Sequence, residues 1–280
     1  MAAPTRRARA ALIERLREVR RTAGLTGVAM AQQLGAGWGQ PKISKIESGK
    51  QLPTDDDIRA WAAATGTDPA ELLGLLDRAA HEFRTFRDAY PAEGGADAHQ
   101  QAYAAAEQAA SMLFYYQPLI VHALLQAPEY ARAILSLPGG PADHGATSDE
   151  IDRIIAARLR RASILYEPGR DITVLVGEAA LRTMVGSPEV MQRQRDHIAH
   201  LAVTVPHAKI GIVPFESCPI LPLHGWEQRD GLISIETTAG DLEIADPREV
   251  VQYRRWGELL TESAKFGGDL ASTARELSNL

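Results

Sequence analysis

The residues of this 280-residue chain best suited to chemistry are a short run of hydrogen-bonding groups: Gln40, Lys42, Ser44 and Lys45. They occupy the face left open when Ile43 and Ile46 turn inward from one helix. Amide, hydroxyl and ammonium groups so placed reach base edges and phosphates when a helix lies in the major groove of DNA. Other groupings have plainer explanations. His197 and His200 sit three apart on one helix, but no Cys or carboxylate at ligand spacing completes a metal site nearby, so they read as polar helix-face residues. Asp55, Asp56 and Asp57 follow Thr54 in a first helical turn, where carboxylates suit the positive end of the helix dipole. They read as capping groups, not as metal ligands. Cys218 is the only cysteine, which excludes an intrachain disulfide, fits the cytoplasm and reads as a small packed hydrophobe. No phosphate-cradling glycine loop, nucleophile elbow or dinucleotide fingerprint occurs, and no cofactor is expected.

The donor run needs two helices and a turn to position it. Thr26 is a side-chain acceptor ahead of an apolar periodic segment, in which Val28, Ala31 and Leu34 are expected to face inward. Gly35, Gly37 and Gly39 then break the pattern and turn the chain. Gln40 and Pro41 open the second helix, and Gly49 closes it as a left-handed cap. Around this pair, Arg9 to Thr22 forms an amphipathic helix with Leu12, Leu16 and Val19 inward. Thr54 starts a helix carrying Ile58, Trp61 and Ala62 to the core, and Asp68, Pro69 and Glu71 start a fifth through Leu76.

The segment from Gln40 to Pro53 resembles the helix-turn-helix of xenobiotic-response-element-type repressors, through the pattern Gln40-x-x-Ile43-Ser44-x-Ile46-Glu47-x-Gly49-x-x-x-Pro53. The resemblance implies that Glu47 is structural, that Gln40, Lys42, Ser44 and Lys45 contact the groove, and that Thr26, Lys50 and the preceding arginines, Arg6 and Arg7 among them, contact phosphate. Two departures stand out: Ala36 and Gly37 lengthen the turn, and Gly27 replaces a longer side chain. Gly39 stands where a Ser or Thr cap is common, at a cost of a few tenths of a kcal/mol.

Charge supports a polyanionic partner. Residues 1–52 hold ten Lys and Arg against three Glu, a net of +7; since the whole chain is −6, residues 53–280 carry −13. Double-stranded DNA is steered to the basic end, with affinity that falls steeply as salt rises. Arg17, Arg20 and Arg21 can also form a solvated helix face with Glu14 and Glu18 at ion-pairing spacings.

The length suits two domains, and 45% apolar content can fill a core in each. No apolar run approaches the ~18 residues of a membrane span and no secretory leader is evident, so no membrane association is expected. The fold expected is α + α/β: an all-α five-helix helix-turn-helix domain over 1–80, a helical linker over 81–110 that carries Phe83 and Phe86, and a larger α/β domain over 111–280. In the last, the pattern gives a helix at 98–109, a strand at 111–117, a Leu-rich helical stretch to Leu137 and a helix from Ser148 to Tyr166. Strands at Asp171–Gly177 and Lys209–Pro214 flank a helix from Pro188 to Val203; a hairpin, Leu232–Glu236 with Asp241–Ala245, precedes a last long helix from Pro247 to Ala264. Tyr115, Tyr116, Phe215, Trp226 and Trp256 are expected chiefly in the core, with an effector-binding cavity as the functional alternative.

Tyr116-Gln-Pro-Leu-Ile-Val, Leu124-Leu-Gln-Ala-Pro-Glu-Tyr, Ala157-Arg-Leu-Arg-Arg, Glu178-Ala-Ala-Leu-Arg and Asp246-Pro-Arg-Glu-Val resemble the C-terminal domain of antitoxin-like actinobacterial helix-turn-helix regulators. That resemblance implies a very small acidic protein as partner. The chain departs from it at Val121-His122-Ala123, where relatives carry Val-Pro-Gly, and around Trp226. An enzyme is not expected: His207-Ala-Lys209 is similar to half of a phospholipase-D-type phosphodiesterase motif, but Pro214 replaces its aspartate and no second copy exists. The expected function is a homodimeric, sequence-specific transcriptional regulator, its C-terminal domain sensing a small-molecule effector or docking a partner. The alternative is an antitoxin-like interaction module that autoregulates.

Overall fold

A computed structural model describes residues 7–85, 96–138, 140–142, 145–221, 223–238 and 240–277, with backbone alone at residues 7, 82–85 and 96–100. The chain divides into two compact units, residues 1–83 with 242–249, and residues 84–241 with 250–280.

The described residues of the first unit form the helices α1 (Arg7–Thr22), α2 (Gly27–Leu34), α3 (Gln40–Glu47), α4 (Asp55–Thr65) and α5 (Pro69–Ala80). Their starts are set locally. Thr26 Oγ1 accepts the Ala29 amide at 3.1 Å, and Asp68 Oδ1 accepts the Ala70 amide at 2.9 Å. Thr54 and Asp57 make a reciprocal capping box on α4. Past α3, Gly49 has φ +71°, and a Cβ there would stand 2.7 Å from Ile13 Cδ1, so the exit turn favours glycine. Leu12, Leu16, Met30, Ile43, Ile46, Ile58, Trp61 and Leu72 are fully buried together.

Two expectations for this unit need correction. Val28 is 55% exposed, and Met30 and Ala31 supply the buried side of α2, with Leu34 packed against the core. Positions 28 and 34 lie about 120° apart around a helix, so a three-residue spacing cannot keep both inward. The chain also stops being helical at Ala80. His81–Thr85 is strand β1, and α6 (Ala96–Ala109) is the next helix; Phe86 lies outside the described residues. Residues 242–249 rejoin the first unit, where the Ala245 amide donates to the Ala80 carbonyl at 2.8 Å.

The second unit is a mixed sheet with helices. Strands β2 (Met112–Gln117), β3 (Asp171–Gly177) and β4 (Ala208–Val213) run parallel and adjacent, Tyr115 pairing with Val174 and Val174 with Ile210. The β2–β3 crossover holds α7 (Pro128–Leu135) and α8 (Ser148–Arg161), and the β3–β4 crossover holds α9 (Glu178–Arg182) and α10 (Pro188–Thr204). The expected Leu-rich helical stretch to Leu137 and the expected helix from Ser148 to Tyr166 are each part α-helix and part 3₁₀ turn. On the other side of β2, β5 (Trp226–Arg229) and β6 (Leu232–Glu236) add antiparallel, and β7 (Gly240–Ile244) follows. After α11 (Pro247–Ser263), the two-residue β8 (Lys265–Phe266) pairs with β4, and α12 (Gly267–Glu276) packs on α10. Tyr115, Val174, Val176, Ile198, Ile210, Ile212 and Leu270 share the core. Sequence patterning had not marked β5, α9, β8 or α12.

Candidate nucleic-acid interface

In α3, Ile43 and Ile46 are 2% and 1% exposed, which leaves Gln40, Ser44 and Lys45 on the solvent face. Thr26 and Lys50 are exposed too, and Thr26 keeps a hydroxyl hydrogen to donate while its oxygen caps α2. No ion pair among the described residues takes Lys45 or Lys50. Arg6 and the Arg7 side chain lie outside the described residues.

Other charges of this unit are already engaged. Arg20 grips both oxygens of Glu47, at 2.6 and 2.9 Å, and donates to the Leu25 carbonyl at 2.7 Å, fastening α3 to α1 and the start of α2. Arg17 donates to the Glu47 carbonyl and lies 3.7 Å from Glu14. Arg15 pairs with Glu18 and Glu71. Arg20 thus reaches across to α3, not along its own helix. Lys42 is half-buried: its ammonium is 2.6 Å from Asp57 Oδ1 and 4.0 Å over the Trp38 ring, and that ring meets Trp61 edge-on at 6.0 Å. The sequence reading had overlooked Trp38. Its place in the Gly35–Gly39 turn, four residues before Lys42, was the available signal.

The second unit gathers titratable groups under its sheet instead. Glu107 is 0% exposed, accepts from the Tyr115 hydroxyl at 2.6 Å and lies 3.0 Å from Arg161 Nε. His122 stacks on Tyr115 and its Nε2 stands 3.2 Å from Glu227 Oε1. The Leu124 amide donates to Nδ1, so the network places the ring proton on Nε2. Burial keeps His122 neutral well below its ordinary range, helped by Arg161 and Arg158. Burial pushes Glu227 up to about 8, against the pull of Arg229 3.9 Å away. His122 thus meets the segment that begins at Trp226.

Of the remaining candidates, His207 and Lys209 are exposed at the start of β4. His197 is half-buried and His200 exposed, and no metal-holding group of three occurs among the described residues. Tyr115, Tyr116 and Trp226 are buried, while Phe215 is 56% exposed. Cys218 is a free thiol of intermediate exposure.

Residues 100–271 match a family described as a domain of unknown function, DUF5753. The chain belongs to the DUF5753 family. In this DUF5753 protein, residues 11–75 also match a family described as a helix-turn-helix domain, the span that holds α2, α3 and the Arg20–Glu47 clamp. The match makes the DUF5753 chain a DNA-binding regulator by its N-terminal unit. No curated protein and no solved structure matches it. No described helix is long and apolar enough to cross a membrane.

Proposed function

We propose that the chain is a sequence-specific transcriptional regulator of the xenobiotic-response-element type, binding double-stranded DNA as a homodimer with α3 in the major groove. One observation carries this reading: Gln40, Ser44 and Lys45 lie open on a helix whose placement is fixed by Arg20 and Glu47. Gln40, Ser44 and Lys45 read base edges, Lys42 adds a donor already oriented by Asp57, and Thr26, Lys50, Arg6 and Arg7 hold phosphate. Dimerisation follows from specificity, since one helix touches too few base pairs to select a genomic site. The C-terminal domain, residues 111–280, then serves dimerisation or effector sensing, in the cytoplasm and without catalysis.

A salt titration against the chain's own promoter fragment and a scrambled control tests the proposal. Preference for the promoter that collapses in Lys42→Ala/Lys45→Ala supports it; equal affinity at every salt concentration refutes it.

A second reading, an antitoxin-like module that binds a small acidic protein and autoregulates, draws on a depression in the second unit lined by Arg182, Arg193, Arg195 and Glu189 beside exposed Met184, with Arg182 paired to Glu178 and Arg193 to Glu129. Guanidinium groups amid apolar surface suit an acidic peptide. Co-purification of a small acidic neighbour-encoded protein, lost in Arg193→Glu, favours it.

A further inference from the structure

Beside the first residue of α3 the first unit leaves an apolar hollow, lined by Val28, Ala31, Gln32, Trp38, Gly39 and Gln40. Val28 stands 55% exposed on its wall. The opposite wall is held in place: Trp38 lies edge-on to fully buried Trp61 and carries the Lys42 ammonium on its face. Gly39 lines the hollow where the chain enters α3. The exposed amide of Gln40 is on the rim. An amide next to an apolar hollow matches the major-groove edge of one base pair. Adenine offers N7 and N6–H₂ to a glutamine amide, and its partner thymine projects a C5 methyl group, which only an apolar surface rewards. The surrounding net charge of +7 over residues 1–52 brings a polyanion to this end of the chain.

We infer that the Val28–Trp38 hollow is a subsite for the 5-methyl group of thymine in a base pair whose adenine is read by Gln40. The inference rests on α3 being the recognition helix, and assigns base selectivity to α2 and to the lengthened turn as well.

The test uses the full-length chain and duplexes enriched from a random-sequence pool. The tightest duplex is remade with each thymine replaced in turn by deoxyuridine, which removes the methyl and keeps pairing and charge. One position in each half-site is expected to lose about three- to fivefold in affinity, the size of one buried methyl. Val28→Ala, at an exposed residue that the core does not need, then equalises thymine and uracil at that position. Indifference to deoxyuridine at every position of a specifically bound duplex overturns the subsite and leaves α3 as the reader. A methyl effect that survives Val28→Ala overturns it too. If the wild type enriches no duplex, the recognition-helix reading and the subsite fall together, at the first step.

Discussion

The two units place their ion pairs differently. In the first, the Arg20–Glu47 pair keeps 12% and 14% of its side chains exposed and lies at the rim of α3. In the second, Arg161 keeps 12% of its side chain exposed, but its partner Glu107 has none and also accepts from the buried Tyr115 hydroxyl. A rim pair sets where a helix lies while water still screens both its ends, whereas a pair with one end wholly buried must be complete, because the polar groups around that end have no water to replace a lost partner. The first arrangement suits a surface that meets a ligand; the second suits a domain with one fixed interior arrangement.

The sharpest way to break this contrast is Glu107→Ala. It takes the carboxylate from Arg161 and the acceptor from the fully buried Tyr115 hydroxyl, and is expected to cost roughly 3–5 kcal/mol in denaturant unfolding followed by probes in the second unit. A cost below that of a rim pair would erase the distinction. Next in size is a pH effect. The unfolded chain releases the Glu227 proton near the ordinary 4.5, while the folded chain holds it to about 8. Between those values the folded state holds more protons at Glu227, which lowers stability as pH rises, by up to about 1.4 kcal/mol per pH unit; His122, kept neutral, acts oppositely below its ordinary 6.5, so the decline shows between 6.5 and 8. Glu227→Gln is expected to remove this decline, as read by urea midpoints from pH 6.5 to 8.5. An unchanged slope would place the proton elsewhere. Arg20→Ala follows, at about 2 kcal/mol in the first unit for the loss of a two-point charged hydrogen bond, with weaker DNA binding because α3 is no longer fastened.

The same division governs what could be read from the sequence. From Gln40 to Pro53, helix start, buried isoleucines and the Gly49 exit are decided by neighbours a few residues away, so the pattern displays them. Asp57 was legible as a cap and is one, but its second contact, to Lys42, needs α4 packed beside α3. His122 and Glu227 are 105 residues apart and meet only when β5 lies against β2. That strand, Trp226-Glu-Gln-Arg, has four residues and no β-branched side chain, so patterning gave no hint of it. The parallel strands Asp171–Gly177 and Ala208–Val213, rich in Ile and Val and bounded by turns, were plain.

The remaining predictions sharpen the rim side of the contrast, where losses are small and of different kinds. Gln40→Ala leaves the fold intact, since the side chain is exposed, and is expected to reduce discrimination between the preferred duplex and a single-base variant by about tenfold. Competition binding with paired duplexes reads that ratio. Lys50, exposed just past the Gly49 turn, is expected to act differently. A lysine that neutralises one phosphate releases about one counterion, so Lys50→Ala lowers affinity for preferred and scrambled duplexes alike and reduces the slope of log K against log salt by about 0.9. The slope difference, measured from 50 to 200 mM salt on both duplexes, separates the two roles. A change confined to the preferred duplex would move Lys50 from the phosphate track to the base edges and turn α3 about its axis in the groove.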